Sequence, residues 1–143
     1  MKPQMYRITR THDFSAGHRV CGHEGQCAHL HGHNYRAHLT CASAHLDSIG
    51  RVIDFADVKL RLCHWIDVKW DHKFLVHHAD MIAMKLYNID PAGVVLVPFN
   101  PTAENMAQYL VDVVGPLVFD GTDIVLVAVK LEETRKCSAE YGI

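Results

Sequence analysis

From His31 to Cys41 the chain alternates without a break. His31, His33, Tyr35, Ala37, Leu39 and Cys41 share one parity, and Gly32, Asn34, Arg36, His38 and Thr40 share the other. Successive side chains on a strand point to opposite faces, so the run predicts a half-buried strand. Its apolar face opens with two imidazoles. Just upstream, "CAHLHGHNY" puts Cys27, His29, His31 and His33 at every second position. A thiol and three imidazoles on one face raise the question of a metal.

Other segments can be placed around this strand. Tyr6, Ile8 and Phe14 share a parity and predict a strand over residues 6–14, which "SAGHRVCGHEGQCAHL" ends as a loop. Asp54 can cap a helix that starts at Phe55, with Phe55, Val58, Leu62, Trp65 and Ile66 as its inner stripe and "WDHKFL" as its end. Residues 76–90 read as a short helix inside a long loop, and "VVLVPF" as a brief extended run. Thr102 caps a second helix with Ala103, Met106, Leu110, Val113 and Val114 inward, and Gly115-Pro116 weakens its end. Residues 123–134 alternate again, with Val125, Val127, Val129, Leu131 and Glu133 on one face, and a short strand follows near Glu140. The order β-β-α-α-β-β predicts an α+β fold, a four-stranded antiparallel sheet with two helices on one face.

A length of 143 residues predicts one domain, residues 1–143. The net charge of −2 gives no reason to expect nucleic acid or an anionic membrane as partner. "MKPQMYRITRTHDF" lacks the apolar core of a secretory signal, and no run approaches the length of a membrane span, so a soluble, cytoplasmic protein is expected. Five cysteines, an odd number without framework spacing, fit free thiols in a reducing compartment.

His31-Gly32-His33 can hold one ion between two imidazoles, and a pair of exposed histidines at a strand end would read the same way. Cys-x5-Cys-x3-His-x-His departs from structural zinc-finger spacing. His18, at the end of the preceding strand, is the better third ligand, because a hairpin brings it alongside. Asp71-His72 is either an exposed pair or a carboxylate that orients an imidazole for proton transfer. Glu133 is either a strand residue leaving the core or a pocket-floor acceptor for heterocycle N–H groups. Cys27 is either a small buried apolar residue or, near a cation, a thiolate base. His29 shares the ligand parity but sits where the chain still reads as loop. The other histidines read as surface or structural.

Six segments in order, "FSAGHRV", "CAHLHGHNY", "VIDFADVK", "WDHKFL", "NPTAENMA" and "LEET", resemble the 6-pyruvoyltetrahydropterin synthase / 6-carboxy-5,6,7,8-tetrahydropterin synthase family from Phe14 to Thr134. The resemblance implies a tunnelling fold, a homohexamer built as a dimer of trimers with sites between subunits, and one zinc per subunit on His18, His31 and His33. It implies Cys27 as the catalytic cysteine and Asp71 with His72 as its proton-transfer partners. Glu133 would anchor the pterin, with Thr102 and Glu104 on the segment lining the pocket. Cys27 precedes His31 as Cys-x3-His, which resembles the carboxy-forming, queuosine-pathway branch. The implied lyase converts 7,8-dihydroneopterin triphosphate to 6-carboxy-5,6,7,8-tetrahydropterin, acetaldehyde and triphosphate. A 6-pyruvoyltetrahydropterin synthase that keeps the side chain is the alternative within the family. A non-catalytic zinc- or pterin-binding module is the alternative outside it. Arg19 and Lys73 are the cations considered for the triphosphate. The segment between Leu75 and Asn100 is longer than in the shorter family members.

Overall fold

The structure, a computed structural model, describes residues 4–143; residues 1–3 of the expected domain, and of the stretch read as lacking a signal, lie outside the described residues. Strands β1 (Tyr6–His18) and β2 (His31–Ser43) pair antiparallel over their whole length, from Tyr6 against Ser43 to His18 against His31. Strand β1 therefore runs four residues beyond Phe14, through glycine-containing sequence that reads as loop. Two neighbours hold that end: His31 on one side and, on the other, β3 (Lys73–His77), which pairs in parallel with Ala16, Gly17 and His18. Gly17 permits this approach, since a Cβ there would fall 2.3 Å from the Phe74 ring.

Strand β5 (Val125–Glu132) pairs with β2, and β6 (Ser138–Gly142) with β5, both antiparallel. These four strands are the expected sheet, but they are not all of it. Strands β3 and β4 (Val94–Val97) extend it in parallel, giving a mixed six-stranded sheet in the order β4-β3-β1-β2-β5-β6. Strand β4 is the extended run of "VVLVPF", whereas the signal of β3 is weak for a physical reason. Leu75 and Val76, adjacent in β3, are both fully buried, so the strand is covered on two faces and shows no alternation. Leu75 joins the main core under the long helices. Val76 packs with Ala83, Val94 and Leu86 of a short helix, Met84–Ile89, on the opposite face. The helices are thus not confined to one face.

The first long helix spans residues 55–69 and is capped by Asp54, whose carboxylate accepts the Ala56 amide at 2.9 Å. The second spans residues 103–118, with Thr102 accepting the Asn105 amide at 3.2 Å. Each contains a wider π turn, Lys59–Cys63 and Leu110–Val114. A π turn shifts the phase of the buried stripe. Val58, Leu62 and Ile66 face the core as expected, but Phe55 is 50% exposed. In the second helix Val111 is buried and Val113 is 46% exposed, the reverse of a regular 3.6-residue reading. That helix also continues through Gly115-Pro116 to Val118. The loosened turn before Pro116 relieves the carbonyl that its ring would otherwise meet.

Strand β5 departs from strict alternation too. Thr40 pairs with Ala128 and Cys41 with Leu126, which leaves Val127 as a bulge. The bulge reverses parity, so Leu126 rather than Val125 joins Val129 and Leu131 in the core, and Val125 is exposed. The result is an α+β fold of the tunnelling type. No helix among the described residues is long and apolar enough to cross a membrane.

Leu62→Ala removes a fully buried side chain and is expected to cost about 2–5 kcal/mol in chemical denaturation. Phe55→Ala, at the half-exposed start of the same helix, should stay within about 0.5 kcal/mol.

Candidate functional site

The hairpin of β1 and β2 brings three imidazoles to one point. His18 and His31 face each other across the ladder, and His33 follows two residues along the same face. Among the described residues, His18, His31 and His33 form the cluster able to hold a metal ion. His31 Nε2 lies 2.9 Å and His33 Nε2 3.1 Å from His18 Nε2.

The protons decide what these contacts are. His18 Nδ1 lies 2.6 Å from the Pro101 carbonyl and His31 Nδ1 lies 2.7 Å from the His29 carbonyl. A carbonyl only accepts, so each Nδ1 carries the proton and each Nε2 presents a lone pair. Two lone pairs then face each other at 2.9 Å with no hydrogen between them. A shared cation satisfies that arrangement. Tetrahedral zinc, with nitrogens at about 2.0–2.1 Å, spaces its ligands by about 3.3 Å, close to what is found. Carbonyls that fix the tautomer are what metal-bound imidazoles ordinarily have. The three histidines thus form a metal site of the zinc type.

Burial lowers the His18 pKa to about 4, against the opposing pull of the Pro101 carbonyl; the neighbouring imidazoles lower it further. Burial also lowers that of His33, with Glu133 acting the other way. Both effects favour the neutral, ligating form. His29 is exposed and stands outside the cluster; its contribution is the carbonyl that holds His31.

Beside the cluster opens a cleft of about 730 Å³, lined among others by Ser15, His33, Tyr35, Asp71, His72 and Glu133. His33 belongs to both, and Glu133 Oε2 lies 3.8 Å from its Nε2. Asp71 Oδ1 accepts the Ser15 amide at 2.9 Å, and its Oδ2 accepts His72 Nδ1–H at 2.9 Å. Burial would raise the Asp71 carboxyl, but the Ser15 amide and His72 outweigh it and hold the pKa below its ordinary value. The His72 side chain is 81% exposed, and its backbone has φ 58°, the left-handed region. No other described non-glycine residue has a positive φ. A hydrogen bond from the His72 amide to the Ser15 carbonyl, at 2.7 Å, holds that conformation. Burial pushes the Tyr35 hydroxyl pKa up, reinforced by Glu133 and Cys27, so it stays protonated.

Cys27 is half-buried on a short turn, Gln26–Ala28, between the ligand-bearing strands. Cys27, Thr102 and Glu104 do not line the cleft within one chain. Thr102 is engaged as a helix cap, and Glu104 is exposed on the first turn of that helix. Arg19 is paired with buried Asp80, and Lys73 Nζ donates to the Ala92 carbonyl at 3.0 Å, so both cations are committed inside the chain. Sequence reasoning missed Ser15, which holds Asp71 by its amide and His72 by its carbonyl. It also missed Pro101, whose carbonyl orients His18. Both act through backbone atoms, which leave no mark in residue type.

His18 favours its neutral form when folded, whereas the unfolded chain takes up the proton near the ordinary value of 6.5. Between these values the unfolded state binds more protons, so stability rises with pH. Zinc-free protein should keep this contribution above pH 6.5 and lose it progressively as pH falls towards about 4. Urea unfolding at several pH values reads it, and a flat profile across that window would contradict the assignment.

A family model described as 6-pyruvoyl tetrahydropterin synthase matches residues 7–142. A 6-carboxy-5,6,7,8-tetrahydropterin synthase of Rickettsia typhi is 37% identical over 137 residues, covering 95% of this chain and 99% of that protein. The enzyme of the same name from Haemophilus influenzae is 30% identical over 113 residues, covering 74% and 79%. Among solved structures, an uncharacterized protein from Wolinella succinogenes superposes with a TM-score of 0.82 at 24% identity, covering 97% and 98% of the two chains. The 6-pyruvoyl tetrahydropterin synthase of Caenorhabditis elegans gives a TM-score of 0.68 at 23% identity, covering 100% and 99%. Two ligand-bearing strands paired so that His18 meets His31, the cleft beside them, and a match over nearly the whole chain together place this protein in the 6-pyruvoyl tetrahydropterin synthase family.

Proposed function

We propose that this single-domain chain is a zinc-dependent 6-carboxy-5,6,7,8-tetrahydropterin synthase. It takes 7,8-dihydroneopterin triphosphate and water to 6-carboxy-5,6,7,8-tetrahydropterin, acetaldehyde and triphosphate, a step towards queuosine and other 7-deazapurines. The observation that carries this reading is His33, which belongs to the metal cluster and lines the cleft that holds Asp71, His72 and Glu133. The Cys-x3-His spacing and the names of the curated relatives favour the carboxy-forming branch.

His18, His31 and His33 hold the zinc, which when bound supplies Lewis-acid polarisation of the substrate's side-chain hydroxyls. The protein residues divide the remaining work. Glu133 accepts N–H bonds from the pterin ring and so fixes the register of the side chain over the cluster. Cys27, as thiolate, takes a proton from the side-chain carbon. His72 gives its Nδ1–H to Asp71, which leaves Nε2 free to move the complementary proton. Hydrogen is redistributed within the substrate, so the ring reaches the tetrahydro level without a nicotinamide.

Cys27, Thr102 and Glu104 lie off the cleft of their own chain. This supports a site completed between subunits, in a cytoplasmic homohexamer built as a dimer of trimers. Thr102 and Glu104 then line the pterin pocket from a neighbouring chain.

Anaerobic incubation of zinc-loaded protein with 7,8-dihydroneopterin triphosphate, with aldehyde trapping and mass spectrometry, tests the reaction. Acetaldehyde and a 6-carboxy pterin are expected; an intact pyruvoyl side chain would overturn the carboxy-forming assignment. Cys27→Ala should retain zinc and lose turnover. Asp71→Asn should lower kcat by roughly 100-fold or more with zinc content unchanged. Parental turnover in either variant would remove that residue from the mechanism.

A further inference from the structure

The chain from Arg19 to Leu30 connects the ligands His18 and His31 and carries Cys27, yet only three of its residues, Gln26–Ala28, form a turn of regular structure. What holds it is the segment that follows β3. Arg19, directly after His18, donates to the carboxylate of Asp80, a buried residue just ahead of the short helix Met84–Ile89. The other oxygen of that carboxylate accepts the Ile82 and Ala83 amides at 3.2 and 3.3 Å, so Asp80 is fixed from both sides. Two residues after Arg19, Cys21 is gripped by Asn100. Asn100 Oδ1 accepts the Cys21 amide and Asn100 Nδ2 donates to the Cys21 carbonyl, both at 2.9 Å. The carboxamide orientation is determined by its partners, since an amide only donates and a carbonyl only accepts. The Asn100 carbonyl in turn accepts Asn105 Nδ2 at 3.0 Å, which ties it to the second long helix.

Between the two gripped residues lies Val20, whose amide donates to the Cys27 carbonyl at 2.9 Å. Fixing residues 19 and 21 fixes the direction of that amide, and with it the backbone of Cys27. The next residue after Asn100, Pro101, supplies the carbonyl that orients His18. Segment 80–101 therefore holds His18, Arg19 and Cys21 directly and Cys27 through Val20.

We infer that Asn100 and Asp80 are positioning residues that set Cys27 against the zinc-bound substrate, and that the long segment between Leu75 and Asn100 serves as the clamp of the Cys27 loop. This rests on the reading of Cys27 as the catalytic base. Neither residue lines the cleft. Both act by narrowing the positions open to one thiol, and misplacement on the scale of an ångström can cost about 100-fold in rate.

Asn100→Asp keeps an acceptor for the Cys21 amide but puts a carboxylate oxygen against the Cys21 carbonyl. Asp80→Asn removes the charge from the Arg19 pair at nearly constant shape. Each variant, zinc-loaded, is compared with the parent for zinc content, for kcat and KM separately, for hydrogen exchange at the Val20 amide and for alkylation of Cys27 by peptide mapping. The clamp requires zinc near the parental level, KM within about threefold, kcat lowered by about 10- to 100-fold, faster Val20 exchange and an altered Cys27 alkylation rate. Parental kcat with parental Val20 exchange in both variants overturns it. So does a kcat loss explained wholly by zinc loss. Cys27→Ala run alongside separates the two failures: if it turns over like the parent, the base assignment fails; if it is inactive while both clamp variants behave as parent, only the clamp fails.

Discussion

Pairing of β1 with β2 is the contact on which the rest of the molecule depends. Thirteen residues of each strand are matched, and the register ends on His18 against His31. A slip of one residue would turn Phe14, Ala16 and His18 out of the core and separate the imidazoles at once. The same register buries Tyr35, Ala37 and Leu39, so hydrophobic burial along the strands enforces the geometry of the polar cluster at their end. Metal chemistry here is placed by packing rather than by the metal.

Around the cluster, most of the orienting groups are backbone atoms. The carbonyls of Pro101 and His29 choose the tautomers of two ligands, and the amide and carbonyl of Ser15 hold Asp71 and His72. Only Ser15 among these lies in a strand, yet every one of the bonds is made by a main-chain atom, so the site needs few dedicated side chains. The side chains of Asp80 and Asn100 add the anchors of the loop that carries Cys27.

The sequence made the central part of this legible. Alternation from His31 to Cys41 located β2 and its inward face, and Asp54 and Thr102 announced the starts of both long helices. The hairpin argument put His18 beside His31 and His33, and the motifs singled out Asp71, His72 and Glu133, which the structure finds lining one cleft. What stayed hidden had definite causes. Strand β3 is short and covered on both faces, so it lacks the period-two signature, and β4, legible as the extended run in "VVLVPF", had no visible partner to place it in the sheet. Phe55, Val113 and Val125 were misplaced because π turns and a bulge change the phase of a repeat without changing its residues. Asp80 and Asn100 were invisible because their partners lie 61 and 79 positions away.

His72 illustrates how a protein can be held away from its own thermodynamic optimum. An imidazole-bearing residue at φ 58° sits in a region that glycine or asparagine occupies more easily. Selection for folding alone would drift towards those residues at this turn. A directed-evolution campaign scored by heat tolerance and one scored by product formation would therefore pull position 72 in opposite directions, and the residue found there marks which pressure has prevailed.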